Sequence, residues 1–169
     1  MQLWIFFGQS GAGKSFVGRV CAEELAFEHY DGDRDLTPEM HRALRALRPF
    51  TPEMRAEFVI ALSRGIHQRC RESTREQGLR AGLAVSQGLF KIRDRNRLQL
   101  DFPKARLIWV RASEELIELR LRQRASHLAS SAYARLVNGG FEPPAPGADA
   151  IENDGDRARV LEQLRKYSV

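Results

Sequence analysis

The feature that most constrains this chain is a complete phosphate-binding loop close to its N-terminus. Residues 8–15 read Gly-Gln-Ser-Gly-Ala-Gly-Lys-Ser, which fits the pattern G-x-x-x-x-G-K-S at every fixed position. An apolar run at residues 3–7 precedes this loop, and a stretch suited to a helix follows it at residues 15–26. A buried strand, a glycine-rich loop and a helix in this order are the context that the motif needs in order to bind a nucleotide.

The chemistry of this P-loop (residues 8–15) assigns a role to most of its residues. Glycines let backbone N–H groups converge on phosphate oxygens, and the N-terminus of the following helix adds partial positive charge. We predict that Lys14 contacts the β- and γ-phosphates of ATP and that the Ser15 hydroxyl binds Mg²⁺. The predicted nucleotide-binding residues are Gly8, Gly11, Ala12, Gly13, Lys14 and Ser15.

Length and composition predict one globular domain that spans residues 1–169. No apolar stretch is long enough to cross a bilayer, and the P-loop begins too early to leave room for a signal peptide. The two cysteines, Cys21 and Cys70, lack metal-ligand spacing and indicate free thiols in a reducing compartment. We therefore predict a cytoplasmic monomer or homodimer without membrane contact.

Apolar runs alternate with helical patterns along the chain. This alternation predicts an α/β fold with a parallel sheet, and the P-loop makes it a three-layer P-loop NTPase fold of the nucleoside-monophosphate-kinase type. Ligands in such folds bind at the carboxyl ends of the strands. Five strands are predicted, at residues 3–7, 27–30, 83–86, 105–110 and 148–151.

Two segments interrupt the simple alternation. Residues 36–78 contain two Thr-Pro-Glu sequences, each an N-cap, a proline and an acid of a first helical turn, and so predict helices at residues 38–47 and 52–76. Residues 125–147 contain a helical part that ends at Asn138, followed by a proline-rich loop. We predict that the first segment is a helical substrate-binding insertion and the second a mobile lid.

An acidic pair follows the second predicted strand. Asp31 and Asp33 are two residues apart, so both carboxylates can face the same edge of the sheet, and Gly32 leaves room for a ligand. One carboxylate can hold Mg²⁺, and the other can accept the proton of an acceptor hydroxyl. A solvated Asp-Gly turn is the alternative, and the residues alone do not decide which acid is the base.

Three arginines are candidates for contacts with anionic groups. Arg55 lies in the first turn of a predicted helix, where a cation opposes the helix dipole, so a substrate carboxylate or phosphate is a better reason for it. Arg120 and Arg124 border the predicted lid and can stabilise charge on the transferred phosphoryl group. Ordinary surface arginines remain the alternative, and His127 beside them has no assigned role.

The third predicted strand ends in Ser86, where P-loop proteins often carry an aspartate that serves the metal. Metal binding is therefore assigned to Ser15 and Asp31. Ser86 has two open interpretations, a contact with the metal's surroundings or an ordinary serine at the end of a strand.

At this point the chain resembles the small P-loop kinases of the gluconate kinase and shikimate kinase group, gluconokinases above all. The resemblance rests on the P-loop, on Asp-Gly-Asp at residues 31–33 and on residues 49–55, which are similar to a P-L-x-x-x-x-R segment. Arg-Leu-Arg-Gln-Arg at residues 120–124, followed by His127, is similar to the start of the lid in that group.

The resemblance implies roles for five residues. Asp31 and Asp33 would serve Mg²⁺ and the substrate hydroxyl, with Asp33 the better candidate for the base. Arg55 would bind the substrate, and Arg120 and Arg124 the phosphates. The implied function is ATP- and Mg²⁺-dependent phosphoryl transfer to a hydroxyl of a small, anionic, gluconate-like or shikimate-like metabolite.

Two alternatives remain open at this stage. A net charge of +5 and a pI near 9.7 also suit a polynucleotide 5′-hydroxyl kinase or another RNA-modifying kinase. An aromatic content of only 8% argues against an extended single-strand surface. The other alternative is a non-catalytic ATP-binding module that uses the lid as a switch.

Overall fold

Five parallel strands form one sheet at the centre of the computed structural model, which describes residues 1–75, 80–123 and 128–168. The strands lie in the order β2-β3-β1-β4-β5, which places β1 in the middle. The predicted fold class is confirmed. The strand bounds are β1 (Gln2–Phe7), β2 (Phe27–Asp31), β3 (Gly82–Ser86), β4 (Arg106–Arg111) and β5 (Ala150–Glu152).

Helices cover both faces of the sheet and fill the segments between its strands. A short 3₁₀ helix, Gly32–Asp35, joins β2 to the first inserted helix. The α-helices of the described residues are α1 (Lys14–Leu25), α2 (Pro38–Arg45), α3 (Pro52–Arg75), α4 (Ile92–Asp101), α5 (Glu114–Gln123), α6 (Leu128–Asn138) and α7 (Arg157–Arg165).

The alternation of apolar residues along the strands produces two hydrophobic cores. Side chains of successive strand residues point to opposite faces, so both faces of a buried parallel strand are apolar. Trp4 and Phe6 of β1 pack on one face with side chains of α1 and α7. Ile5 and Phe7 pack on the other face with side chains of α2, α3 and α4. The sheet is therefore the middle of three layers.

The two inserted helices begin where the Thr-Pro-Glu sequences predict. The Thr37 hydroxyl accepts a hydrogen bond from the Met40 N–H, and the Thr51 hydroxyl accepts one from the Met54 N–H, both at 3.2 Å. Helix α2 ends at Arg45, before Leu47 adopts a left-handed backbone with φ of 52°. The predicted helix at residues 38–47 is therefore slightly too long.

The strand register brings the carboxyl ends of β1, β2 and β3 to one edge of the sheet. Asp31 of β2 pairs with Ser86 of β3, and Phe6 of β1 pairs with the same serine. The P-loop follows β1 directly, so it lies beside both strand ends. Within the described ranges, no helix is both long and apolar enough to span a membrane.

Candidate active site

The P-loop has the backbone conformation that an anion-binding loop requires. Gly11 and Gly13 have φ angles of 88° and 89°, in the left-handed region that other residues seldom adopt. A Cβ atom on Gly13 would lie 2.1 Å from the side-chain nitrogen of Asn153. No described side chain caps the start of α1 at Lys14. The N–H groups of its first turn are thus left to bind phosphate.

Side chains from the β5–α7 loop and from α5 bind the carbonyl oxygens of Gly11 and Ala12 in the P-loop. Buried Asn153, just after β5, donates from Nδ2 to the Ala12 carbonyl at 2.8 Å. Arg120 of α5 donates from Nη1 to the carbonyls of Gly11 at 3.3 Å and Ala12 at 3.2 Å. These bonds fix the backbone of the loop at Gly11 and Ala12.

A third side chain binds the P-loop from α6. Asn138, the last residue of that helix, accepts a hydrogen bond from the Ser10 N–H at 2.8 Å and donates to the Ser10 carbonyl at 3.0 Å. These two bonds join the end of the predicted lid helix to the nucleotide motif. The sequence marked Asn138 only as a helix end, so its contact with the loop was not predicted.

Of the two arginines predicted to border the lid, the structure describes Arg120 but not Arg124. Arg120 contacts the P-loop and also donates from Nη2 to the Asn153 carbonyl at 3.1 Å. It is not among the residues that line the cavity described below. Arg124 and His127 lie outside the described residues. A direct contact of either arginine with a phosphoryl group stays a prediction.

A cavity of about 600 Å³ opens beside the P-loop. Its volume falls within the range of small-molecule binding pockets. Residues from the P-loop, β2, α3, the β3–α4 loop and α6 contribute to its walls. The polar members with a role below are Ser10, Lys14, Ser15, Asp31, Asp33, Arg55, Ser86, Gln87, Lys91, Asp94 and Tyr133.

The acidic pair stands at the wall of this cavity, as predicted. The Asp31 carboxylate accepts a hydrogen bond from the Asp33 N–H at 3.1 Å and so caps the 3₁₀ helix. Gln87 donates from Nε2 to the Asp33 carboxylate at 2.8 Å. Desolvation by the cavity walls and then the negative charge of Asp31 raise the pKa of Asp33. A raised pKa makes this carboxylate a stronger proton acceptor.

Ser15 and Asp31 present the kind of oxygen ligands that Mg²⁺ prefers. Both side chains line the cavity next to the phosphate-binding loop. In the described part of the chain, no three acidic, histidine or cysteine side chains form a metal-binding cluster. This fits Mg²⁺ bound with a nucleotide, because such an ion takes one or two protein ligands and completes its shell with phosphates and water.

Ser86 is joined to residues on both sides of it. Its Oγ lies 2.9 Å from Nε2 of His29 and 3.5 Å from Oγ of Ser15. Burial lowers the pKa of His29 and so favours the neutral ring. His29 belongs to no recognised sequence motif, so it was not predicted as a residue of the site.

Arg55 also reaches the cavity wall, where it faces an acid of the neighbouring helix α4. Its Nη1 donates to the Phe50 carbonyl at 2.5 Å, and its Nε lies 3.7 Å from a carboxylate oxygen of Asp94 on α4. Burial raises the pKa of Asp94. This acid accounts for a cation in the first turn of α3, a position where the helix dipole disfavours one.

Helix α6 forms a further wall of the cavity. Its Tyr133 ring lies 6.1 Å from the Phe50 ring, centroid to centroid. The Tyr133 hydroxyl is buried and has no hydrogen-bond partner among the described residues. On the loop that follows β3, Lys91 pairs with Glu142 at 3.1 Å. This part of the cavity therefore offers a ligand the Tyr133 hydroxyl, which no described residue bonds, together with the cations Arg55 and Lys91.

Comparison with curated proteins finds relatives that align over nearly all of this chain. No family model matches the sequence. The ribose 1,5-bisphosphate phosphokinase PhnN of Chromobacterium violaceum is 30% identical over 183 aligned positions, which cover 98% of this chain and 92% of that protein. A protein of the same name from Laribacter hongkongensis is 31% identical over 182 positions, which cover 96% of this chain and 41% of that protein.

Solved structures of small-molecule kinases share the fold. A gluconokinase from Sinorhizobium meliloti superposes with a TM-score of 0.76 at 22% identity, with 99% of this chain and 93% of that chain covered. A shikimate kinase from Acinetobacter baumannii, in complex with shikimate, gives a TM-score of 0.57 at 18% identity, with 98% and 91% covered. The predicted resemblance to this group of kinases is confirmed at the level of the fold.

Proposed function

Since the chain belongs to the PhnN family of ribose 1,5-bisphosphate phosphokinases and is an ATP-dependent small-molecule kinase, we propose that its acceptor is a phosphorylated pentose of the ribose 1,5-bisphosphate type. The observation that carries the proposal is the 30% identity to a relative of that name, which extends over 92% of the relative. The likeness to gluconokinase is one of fold at 22% identity and supports no particular acceptor.

The cations of the cavity support an acceptor with phosphate groups. Arg55 has five N–H donors, and the described contacts engage few of them: Nη1 bonds Phe50, and the 3.7 Å separation from Asp94 is longer than a hydrogen bond. Lys91 adds a second cation, on the β3–α4 loop. Guanidinium groups bind phosphate through two parallel hydrogen bonds, so Arg55 suits a phosphate of the acceptor. We place this acceptor beside the insertion formed by α2 and α3.

The donor side of the cavity holds ATP in this proposal. Bound ATP with Mg²⁺ supplies a phosphoryl group whose charge is partly neutralised. Lys14 and the N–H groups of the P-loop hold the phosphates in line with the acceptor, and Ser15 and Asp31 hold the metal. Arg120 acts by fixing the loop, while Arg124 retains its predicted role at the lid.

Asp33 has the position of a base for a hydroxyl acceptor. A sugar hydroxyl must lose a proton during transfer, and a carboxylate with a raised pKa accepts one well. A phosphate oxygen of the same substrate is already ionised at neutral pH and needs no base. The chemical nature of the product therefore tells whether Asp33 is needed as a base. A hydroxyl acceptor needs the base and yields a new phosphate monoester, whereas a phosphate acceptor does not need it and yields a diphosphate.

An ADP-release assay with a panel of acceptors tests the proposal. The panel contains ribose 1,5-bisphosphate, ribose 5-phosphate as the matched compound without the phosphate at C1, gluconate, shikimate and a short RNA with a 5′-hydroxyl. We expect the highest kcat/KM with ribose 1,5-bisphosphate, and phosphorus NMR of the product identifies the acceptor oxygen.

Other results of the same panel would replace the proposal. A higher kcat/KM with gluconate or shikimate would assign a sugar acid as the acceptor. Turnover of RNA that weakens as salt concentration rises would support the polynucleotide kinase alternative. Tight ATP binding without ADP release for every acceptor would support the regulatory-module alternative.

A further inference from the structure

A line of polar side chains runs from β2 through β3 to the P-loop. His29, Ser86 and Ser15 follow one another at 2.9 Å between Nε2 and Oγ, and at 3.5 Å between the two Oγ atoms. The serine in the middle is 2% exposed. The line therefore ends at the one hydroxyl of the P-loop to which metal binding is assigned.

Helix α1, which follows the P-loop, leaves room for the imidazole ring of His29. Gly18 lies within α1, where glycine is a poorer helix former than alanine. A Cβ atom at this position would lie 2.5 Å from Cδ2 and 2.6 Å from Nε2 of His29. The absence of a side chain at position 18 thus lets His29 reach Ser86. This second observation is independent of the hydrogen bond.

The direction of the hydrogen bonds follows from the chemistry of a metal-bound hydroxyl. A serine oxygen that faces Mg²⁺ with a lone pair must direct its proton away from the cation. The side-chain oxygen described within reach of the Ser15 hydroxyl is Oγ of Ser86, at 3.5 Å, and it would accept that proton. The proton of Ser86 then has Nε2 of His29, 2.9 Å away, as its acceptor, in the tautomer with the ring proton on Nδ1.

We propose that His29 acts through Ser86 as a positioning residue, which holds the Ser15 hydroxyl with its lone pair toward Mg²⁺. This inference rests on the proposed use of Mg²⁺ and does not depend on the identity of the acceptor. Partners of this kind orient metal ligands and are worth a measurable share of metal affinity. Here Ser86 ends β3, where a carboxylate often serves the metal, and His29 of the neighbouring strand supports it.

Three variants separate positioning from packing. His29→Leu keeps most of the volume and removes the acceptor, whereas His29→Gln retains an acceptor at about the reach of Nε2. Ser86→Ala removes the middle of the line. His67→Leu is the matched control, because His67 is an exposed histidine of α3 that packs on Phe102 and does not line the cavity.

The experiment measures ADP affinity by calorimetry with Mg²⁺ and again with EDTA, in the absence of any acceptor. In His29→Leu and Ser86→Ala we expect the gain in affinity due to Mg²⁺ to fall about three- to tenfold, the contribution of one hydrogen bond. Affinity in EDTA should equal that of the wild type. His29→Gln should restore most of the gain, and His67→Leu should leave it unchanged.

Each other result contradicts a specific statement. An unchanged Mg²⁺ effect in His29→Leu and Ser86→Ala would overturn the inference and leave the proposed function intact. Equal losses with Mg²⁺ and with EDTA would show a packing role and also overturn it. Wild-type ADP binding that is indifferent to Mg²⁺ would instead overturn the proposed metal site, and the inference with it. Should His29→Leu fail to fold, Ser86→Ala decides the same question.

Discussion

In the proposed function, the donor side of the cavity binds its ligand through main-chain groups and Lys14, whereas the acceptor side binds its ligand through charged side chains. On the donor side, Asn153, Arg120 and Asn138 bind the carbonyls and an N–H of the P-loop. On the acceptor side, formed by α3, α4 and α6, Arg55 faces Asp94 and Lys91 faces Glu142. The donor side is thus a main-chain loop held by side chains, and the acceptor side is a set of charged side-chain pairs.

The difference teaches which part of the site is generic and which part selects the substrate. A backbone loop recognises the phosphates that all nucleotides share, so it needs little variation. Pairs of charged side chains can be rearranged by single substitutions, and each arrangement fits a different distribution of charge on the ligand. Four substitutions separate the two sides, and they are ordered here by the size of the expected effect.

Lys14→Ala should have the largest effect, because it removes the cation that neutralises the transferred phosphoryl group. We expect kcat to fall about 10²- to 10³-fold, with an unchanged melting temperature. Lys91→Ala is the control on the acceptor side, and it should leave the KM for ATP unchanged. Undiminished turnover of Lys14→Ala in an ADP-release assay would refute the assignment of the donor side.

Asp33→Asn should lower kcat about 10²-fold and leave ATP affinity within a factor of about two, because it removes a base from the acceptor side. A loss of kcat below about tenfold would show that the acceptor oxygen needs no base, as for a phosphate oxygen. Loss of ATP binding alone would contradict a role on the acceptor side.

The same variant should be slightly more stable than the wild type at neutral pH. The pKa of Asp33 is raised in the folded state, so folding favours its protonated form. Above that pKa the ionised carboxylate opposes folding, and the stability of the wild type falls as pH rises through the window between the unfolded and folded values. Thermal melts at pH 7 should therefore show a higher Tm for Asp33→Asn, and a lower Tm would contradict this account.

Arg55→Ala should raise the KM for the acceptor about tenfold to hundredfold, the contribution of hydrogen bonds to a charged group. The KM for ATP should not change. Arg42→Ala, on the exposed face of α2, is the matched control and should leave both constants as they are. Equal increases in the two KM values would indicate that Arg55 serves the whole cavity and not the acceptor.

Tyr133→Phe should have the smallest effect, an increase of about threefold in the acceptor KM, because one hydrogen bond to a neutral hydroxyl is lost. The free protein should become no less stable, since this hydroxyl has no partner among the described residues. Tyr167→Phe is the contrasting variant: its hydroxyl bonds both main-chain groups of Ala150, so the variant should lose stability and keep its KM. An unchanged acceptor KM in Tyr133→Phe would exclude contact with the acceptor.

The sequence predicted the donor side more fully than the acceptor side for a physical reason. The strand, the P-loop and the start of α1 are adjacent in sequence, so local patterns determine their geometry. The contact between Arg55 and Asp94 joins two helices, and that between Ser10 and Asn138 spans 128 residues. Such pairs follow from how helices pack, which no local pattern contains.

Arg55 and Arg120 show how far the sequence could predict the contacts of individual residues. The position of Arg55 against the helix dipole led to the prediction that it binds an anion of the substrate, and this stays a prediction. The structure shows a negative partner within the protein itself, Asp94. Arg120 was placed at the correct end of its helix. Its contact with the carbonyls of Gly11 and Ala12 depends on how α5 packs beside the P-loop.

The pairing of Asn138 with Ser10 has a consequence for variation and engineering. Asn138 binds the peptide group of Ser10, which every residue except proline would offer equally. The side chain at position 10 is thus free to change, and it lines the cavity. Position 138 requires a side-chain amide of that length. A library that randomises position 10 can therefore explore new ligand contacts beside the phosphates without disturbing the support of the loop.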